Sequence, residues 1–516
     1  MLEFFVTRPS RALYPLIATL VLLAALSGCT VPVNTAPNIV LILTDDQPLE
    51  LTAFMPTLQN ELVAKGTSFE QAFATTSLCC PARVSILRGQ YVHNHQVLSN
   101  GGLQGGFPKF YQTGFEASTV ATWLQSKGYR TGMLGKYMNA YPFGPAGEDP
   151  ANYRPPRPTY VPPGWNDWFG LFDVPKDIHN NPYPMYDYNV NDNGREVHYA
   201  NKESDYQVDV LSDRADRFVR QSRGKPFFLY LAPTAPHLPT VMARRHEGLF
   251  AGIQAPRSPS FNEADTSDKP RWVRSVPPLS DAEITKVDET YSKEAEMMLA
   301  VDDMLARVLE TLKSVGQLQN TYIIFTTDQG FHMGEHRLTD MKLTPYAGAS
   351  EIPLIVRGPD VPANETRPEM ALGTDLAPTF AAIAGVTPPD FVDGRSLKGI
   401  WEGKDVQEPW RQAALQEFWP RADLGDYGLE HLNRIVEVPR YRAFRTPKLL
   451  FSEYFYKDGS SDGELYDLTN DPFELENLYA STDPEILARL SSYTEKLQAC
   501  SGVGCRELEN TPPDIF

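Results

Sequence analysis

The sequence predicts an α/β protein: a large, mostly parallel sheet sandwiched by helices, followed by a smaller C-terminal antiparallel-sheet subdomain. Short, continuously apolar runs alternate with stretches of helical length along most of the 516 residues, the arrangement that strand-helix-strand crossovers produce. Glycines close the helical stretches. Beyond about residue 406 the rhythm changes, and strand follows strand.

The first strand is NIVLIL, residues 38–43, apolar toward both faces. PTLQNELVAKG reads as a helix stopped by Gly66, TVATWLQSKG as another stopped by Gly128, and YRTGMLG as a strand ending at Gly135. The strand FFLYLA, the helical EAEMMLAVDDMLARVLETLKSVG, the strands TYIIFTT and IPLIV, and the helix TDLAPTFAAIAG follow. Between residues 141 and 206 the chain is instead rich in Pro, Tyr, Asn and Asp, and YNVNDNGREVHY reads as a hairpin about Asn193 and Gly194. This insertion either shapes a wall of the site or is a plain surface excursion. Farther on, RQAALQEFW, YRAFRT and KLLFSEYF predict the small antiparallel sheet, and a last helix is expected over 484–497. The expected layout is a main domain over 38–405 and a subdomain over 406–516, without internal repeats.

Residues 1–28 read as a leader. Arg8 and Arg11 precede an apolar stretch over 13–26, shorter than the roughly 20 residues a membrane span needs. The stretch ends in LSGC, which resembles a bacterial lipoprotein signal: cleavage before Cys29 would leave that residue to carry lipid, with 29–37 as a linker. The expected location is the cell envelope, with the chain exported and anchored to the membrane through Cys29. An ordinary secretory leader is the alternative, and it too exports the chain.

A net charge of −18 and the lack of any Lys/Arg block argue against a nucleic-acid partner. An anionic substrate would therefore need a local positive pocket. Export permits disulfides, and Cys500 and Cys505, flanking SGVG, are expected to close a small ring, with two free thiols as the other reading. Cys79 and Cys80 are poorly placed to bond each other, because consecutive Cα atoms lie about 3.8 Å apart and an unstrained disulfide needs more than about 4.4 Å.

Ligands bind beyond the carboxyl ends of strands in open parallel sheets. Asp45 and Asp46 follow the first strand, Asp328 and Gln329 follow TYIIFTT, His237 follows FFLYLA, and Lys136 follows YRTGMLG. Three carboxylates and an amide carbonyl make an all-oxygen set suited to calcium or magnesium. Singly, an Asp-Asp pair fits a turn or helix cap, and a lone His or Lys fits a structural or solvated role.

Cys79, Pro81 and Arg83 match the C-x-P-x-R signature, and with it the chain resembles the formylglycine-dependent sulfatases. NIVLILTDDQ, GYRTGMLGKY, APTAPHLP, TTDQGFHMGEHRL, MKLTPY, IPLIVRGP and ELYDLTNDPFELENL agree in the family's order, from about Pro37 to the C-terminus. The resemblance implies an alkaline phosphatase-like fold and hydrolysis of sulfate monoesters. It implies that a maturation enzyme oxidises Cys79 to formylglycine, whose hydrate attacks sulfur. Asp45, Asp46, Asp328 and Gln329 would hold one calcium ion that also meets residue 79. Arg83 and Lys136 would orient the nucleophile, while His237 and Lys342 would bind sulfate and assist the leaving oxygen.

Two departures stand out. Many relatives have Asn where Gln329 stands, and a histidine where Met138 stands. The missing base would come from elsewhere, with His332, His93 and His95 as candidates, each of which fits a structural or peripheral role better than a catalytic one. GKYMNAY, VPPGWNDWFGL and LQACSGVGCR are most similar to the glucosamine 6-sulfatases and related heparan-type sulfatases, implying a sulfated amino sugar or glycan as substrate. The rivals are a phosphonate or phosphate diester hydrolase of the same superfamily, and a lipid-anchored glycan-binding protein whose Cys79 stays a thiol.

Overall fold

The computed structural model describes residues 1–5, 36–102, 104–142, 159–173, 180–404, 409–420 and 436–515. Cys29, most of the leader and the expected boundary at 405/406 lie outside the described residues. Two units are distinguished, Met1–Thr35 and Ala36–Phe516; the first contributes only five described residues, without regular structure. Among the described residues no helix is long and apolar enough to cross a membrane.

The second unit is organised by a ten-stranded sheet. Its centre is five parallel strands in the order Thr321–Thr327, Asn38–Thr44, Phe227–Ala232, Arg130–Gly135 and Asp167–Leu171. The residues of Asn38–Thr44 show why the run is apolar throughout. Ile39, Leu41 and Leu43 join one core cluster and Val40 and Ile42 the other, as a strand's alternation requires when both faces are covered. On the first face Val84, Leu124 and Phe380 come from the helices Cys79–Arg88, Val120–Ser126 and Leu376–Ile383. On the second, Phe218 and Leu305 come from Gln207–Gln221 and Asp281–Ser314.

Several local expectations are refined. The IPLIV strand, Leu354–Arg357, lies in the same sheet but runs antiparallel to Thr321–Thr327; a buried apolar run does not encode direction. PTLQNELVAKG coils as a π-helix over Leu58–Val63. The long helix begins at Asp281, where Ser280 and Glu283 form a capping box. The hairpin Tyr188–Asp192 and Arg195–Tyr199 is present, and instead of standing apart it extends the main sheet beyond Asp167–Leu171.

The C-terminal sheet has four antiparallel strands, Ala414–Phe418, Arg440–Arg445, Leu449–Phe455 and Ser461–Asp467. One face packs Phe444, Phe451 and Leu465 against Leu490 and Leu497 of the helix Pro484–Gln498. The other packs Tyr441, Leu450 and Tyr454 against Trp272, Leu338 and Tyr346. At this seam the buried Glu464 carboxylate accepts the hydroxyls of Tyr346 (2.6 Å), Tyr454 (2.7 Å) and Tyr466 (2.6 Å). Cys500 and Cys505 form the expected disulfide, while Cys79 and Cys80 are free and buried.

Candidate active site

Four neighbouring strands deliver polar residues from their carboxyl ends to one place. Thr321–Thr327 leads into Asp328 and Gln329, Asn38–Thr44 into Asp45 and Asp46, Phe227–Ala232 into the His237 loop, and Arg130–Gly135 into Lys136. The last turn depends on glycine. Gly135 has a φ of 114°, and a Cβ there would overlap the Ala232 carbonyl oxygen, which accepts the Lys136 N–H at 2.8 Å. Gly135→Ala is expected to destabilise the fold by more than about 2 kcal/mol, read as a fall in the denaturation midpoint.

The helix Cys79–Arg88 supplies two more groups from its first turns. Cys79 and Arg83 are spaced i, i+4 and so share a face. Pro81 sits where a helix has no N–H bond to lose, and the Cys80 N–H is capped by Asn100 Oδ1 at 2.8 Å. Lys342 is brought in by a short zipper: the Leu343 N–H donates to Ser77 O at 3.1 Å, and Ser77 Oγ to Thr344 O at 2.9 Å.

The resulting cluster is tight. Ligand atoms of Asp45, Asp46, Cys79 and His237 all lie within 4.8 Å of one another. Lys342 Nζ stands 2.6 Å from each Asp46 oxygen and 2.9 Å from Cys79 Sγ. Arg83 Nε donates to Asp328 Oδ2 at 2.8 Å and Nη1 to the Lys136 carbonyl at 2.9 Å. Lys136 Nζ pairs with Asp45 Oδ2. Asp328 Oδ1 accepts the backbone N–H groups of Asp46 (3.2 Å) and Gln329 (3.0 Å). The expected metal ligands and Cys79, Arg83, Lys136, His237 and Lys342 therefore meet here, with His237, rather than Asp328, inside the tightest group.

Electrostatics follow from burial and pairing. Burial disfavours an ionised Asp45, but Lys136, Arg83, His237 and Lys342 together hold its carboxyl well below the usual range. Burial and the Asp45 charge push Asp328 up to about 7 despite Arg83. Burial, then the neighbouring Asp46, push the Cys79 thiol up to about 12, so as a thiol it is a poor nucleophile. Burial lowers His237 to about 4, against the pull of Asp46 and Asp45.

The donor set fits a hard cation. Among the described residues Asp45 Oδ1 and Gln329 Oε1 are buried without a hydrogen-bond partner, and such orphaned oxygens are costly unless something meets them. Gln329 turns its Nε2 toward Asp46, and a half-turn of the amide gives that side the carbonyl instead. Three carboxylates face three basic groups, so a divalent ion would make the pocket positive and receptive to an anion.

None of the three histidines considered for the Met138 position contacts this cluster among the described residues. His93 donates to Glu417 Oε1 (2.9 Å) and to the Cys500 carbonyl (2.9 Å); burial opposes its charge, but Glu417 raises it to about 9. His95 accepts the Val97 N–H and bonds Ser85 Oγ at 3.0 Å. His332 bonds Thr344 Oγ1 at 2.7 Å. Met138 is buried, its sulfur 3.4 Å from Cys80 Sγ. The sequence reading passed over Tyr183, whose ring stacks on His237 at a centroid distance of 4.1 Å. Its only signal was its place in the Pro- and Tyr-rich insertion.

Residues 37–386 match the Sulfatase family, and residues 334–500 match the N-sulphoglucosamine sulphohydrolase C-terminal region. The chain belongs to the sulfatase family. This sulfatase-family chain is 32% identical over 512 residues to the N-acetylglucosamine-6-sulfatase of Homo sapiens, covering 94% of this chain and 89% of the relative. It is 36% identical over 368 residues to the extracellular sulfatase SULF-1 homolog of Drosophila melanogaster, covering 70% of this chain but only 31% of that longer protein. Two solved structures share the fold. One, in complex with its substrate D-glucosamine-2-N,6-O-disulfate, has a TM-score of 0.70 at 22% identity and covers 90% of this chain and 98% of its own. The other, a phosphonate monoester hydrolase of Agrobacterium radiobacter, has a TM-score of 0.67 at 22% identity and covers 90% and 95%.

Proposed function

We propose that this protein hydrolyses sulfate monoesters, releasing inorganic sulfate, with a sulfated amino sugar or glycan as its substrate. The observation that carries the reading is the placement of Cys79, the first residue of C-x-P-x-R, against Lys342 and Asp46 in a buried cluster of acids and bases. The N-acetylglucosamine-6-sulfatase relative, matched over nearly its whole length, supports the choice of substrate class. The reading includes oxidation of Cys79 to formylglycine by a maturation enzyme, a calcium ion at Asp45, Asp46, Asp328, Gln329 and residue 79, and export with a lipid on Cys29.

When present, the cation neutralises sulfate oxygens and the hydrated formylglycine supplies the nucleophile. The chain's own residues do the rest. Lys342, beside position 79, is placed to meet a sulfate oxygen and offset its charge. Lys136 pairs with Asp45 and Arg83 with Asp328, which holds the acceptor set in place without reorganisation. His237 Nδ1 bonds the Leu238 carbonyl at 2.5 Å, so Nε2 is the atom that faces the cluster. An anion bound there favours the imidazolium, and Nε2 then hands its proton to the leaving oxygen.

Initial rates with an aryl sulfate and an aryl phosphodiester test the reaction class. Sulfate ester turnover well above diester turnover is expected, and the reverse order would overturn the proposal. A screen of sulfated amino sugars then reads the substrate, with release from the 6-O-sulfated ones expected.

A further inference from the structure

We propose that Tyr183 is a positioning residue for the leaving-group proton donor: its ring is the shelf that fixes the plane of His237. The inference rests on the reaction proposed above and adds a residue outside its catalytic set. The Tyr183 and His237 rings are stacked, 24° from parallel at 4.1 Å. The Lys136 ammonium lies 5.0 Å from the centroid of the same ring. One aromatic ring thus neighbours both a proton donor and a pocket cation.

The shelf is itself held from both ends. Tyr183 Oη donates to Asp173 Oδ2 at 2.9 Å, and Asn139 Nδ2 donates to the same oxygen at 3.2 Å. Asp173 is buried. Gln207 ties the shelf to the histidine loop. Its Nε2 donates to the Pro182 carbonyl at 2.6 Å, and its Oε1 accepts Thr234 Oγ1 at 2.8 Å. Thr234 O in turn accepts the His237 N–H at 2.9 Å. Ring and histidine are therefore two ends of one hydrogen-bonded frame. Because Met138 offers no proton, the orientation of His237 carries the more weight.

A misplaced general acid hurts poor leaving groups most, since good ones depart without a proton. The test uses the matured, calcium-loaded full chain and a series of phenyl sulfates whose phenols span a wide range of acidity. Tyr183→Leu is expected to lose about tenfold or more in kcat/KM on the least acidic phenol but under about threefold on the most acidic. Tyr183→Phe, which keeps the ring, should stay within about threefold of wild type throughout. Tyr183→Met keeps the bulk but not the aromatic face; it should shift the slope in the same direction, and it carries the test should Tyr183→Leu not fold. Equal losses across the series in Tyr183→Leu and Tyr183→Met, or a Tyr183→Phe as impaired as Tyr183→Leu, would overturn the assignment.

A second readout needs no turnover. In the unmatured protein the His237 Cε1–H resonance, identified by its absence in His237→Gln, should be shielded by the ring and move downfield in Tyr183→Leu. No movement would overturn the stacking role. If wild type cleaves no sulfate ester while this resonance behaves as expected, the proposed reaction fails and the shelf stands.

Discussion

Cys79→Ala is expected to leave no measurable sulfate ester turnover, while Cys80→Ala remains within a few-fold of wild type. The two sulfurs are adjacent in sequence but live in different surroundings. Cys79 Sγ is 2.9 Å from Lys342 Nζ and 3.6 Å from Asp46 Oδ1. Cys80 Sγ meets Met138 sulfur in the apolar core. Truncating Cys80 removes one buried sulfur and should cost about 1 kcal/mol of stability, with the reacting cluster untouched. Truncating Cys79 would remove the proposed nucleophile, whose loss in covalent catalysis costs many orders of magnitude. Initial rates with an aryl sulfate read both variants. Mass spectrometry of the wild-type peptide spanning residue 79, from the native host, reads the chemistry: an aldehyde in place of the thiol is expected. A thiol retained in fully active enzyme would refute the nucleophile proposed here.

Chelation is expected to remove at least about 99% of turnover, because charge neutralisation at the reacting group is worth several kcal/mol, and to lower the thermal midpoint. The second effect follows from linkage. A ligand bound only by the native state, at a hundred times its dissociation constant, stabilises by about 2.7 kcal/mol. Here it would also satisfy Asp45 Oδ1 and Gln329 Oε1, which have no hydrogen-bond partner among the described residues. Both effects should reverse on adding calcium. Asp45→Asn should be inactive and its midpoint indifferent to chelator, which separates loss of the ion from loss of the fold. Unchanged turnover and an unchanged midpoint in chelator would remove the cation from the proposed reaction.

Much of this architecture is legible in the sequence because buried parallel strands are apolar on both sides and leave their polar residues to the loops that follow them. That logic alone brought Asp45, Asp46, Lys136, His237, Asp328 and Gln329 to one edge. It fails where the determinant is a partner rather than a pattern. Leu354–Arg357 reads like the parallel strands, and its direction follows from the chain re-entering the sheet at the edge where Thr321–Thr327 leaves it. The insertion's hairpin is visible at Asn193 and Gly194, yet its addition to the main sheet depends on pairing with Asp167–Leu171. Tyr183 could not be singled out among the tyrosines of its segment, since its stacking partner lies in another loop. His93 and His95 looked available only because Glu417, the Cys500 carbonyl and Ser85 are distant in sequence or chemically unremarkable.

The helix that carries the C-x-P-x-R segment has all ten of its residues buried, Cys79 at 0% exposure. Any enzyme that modifies this side chain must meet it while the polypeptide is still open. On the maturation proposed above, modification and folding would be in a race, and a chain that folded first would be locked out of repair, intact yet inert. The active fraction of a preparation would then record the kinetics of its biosynthesis, so slowing the collapse of the first strands should raise specific activity without altering a single residue of the pocket.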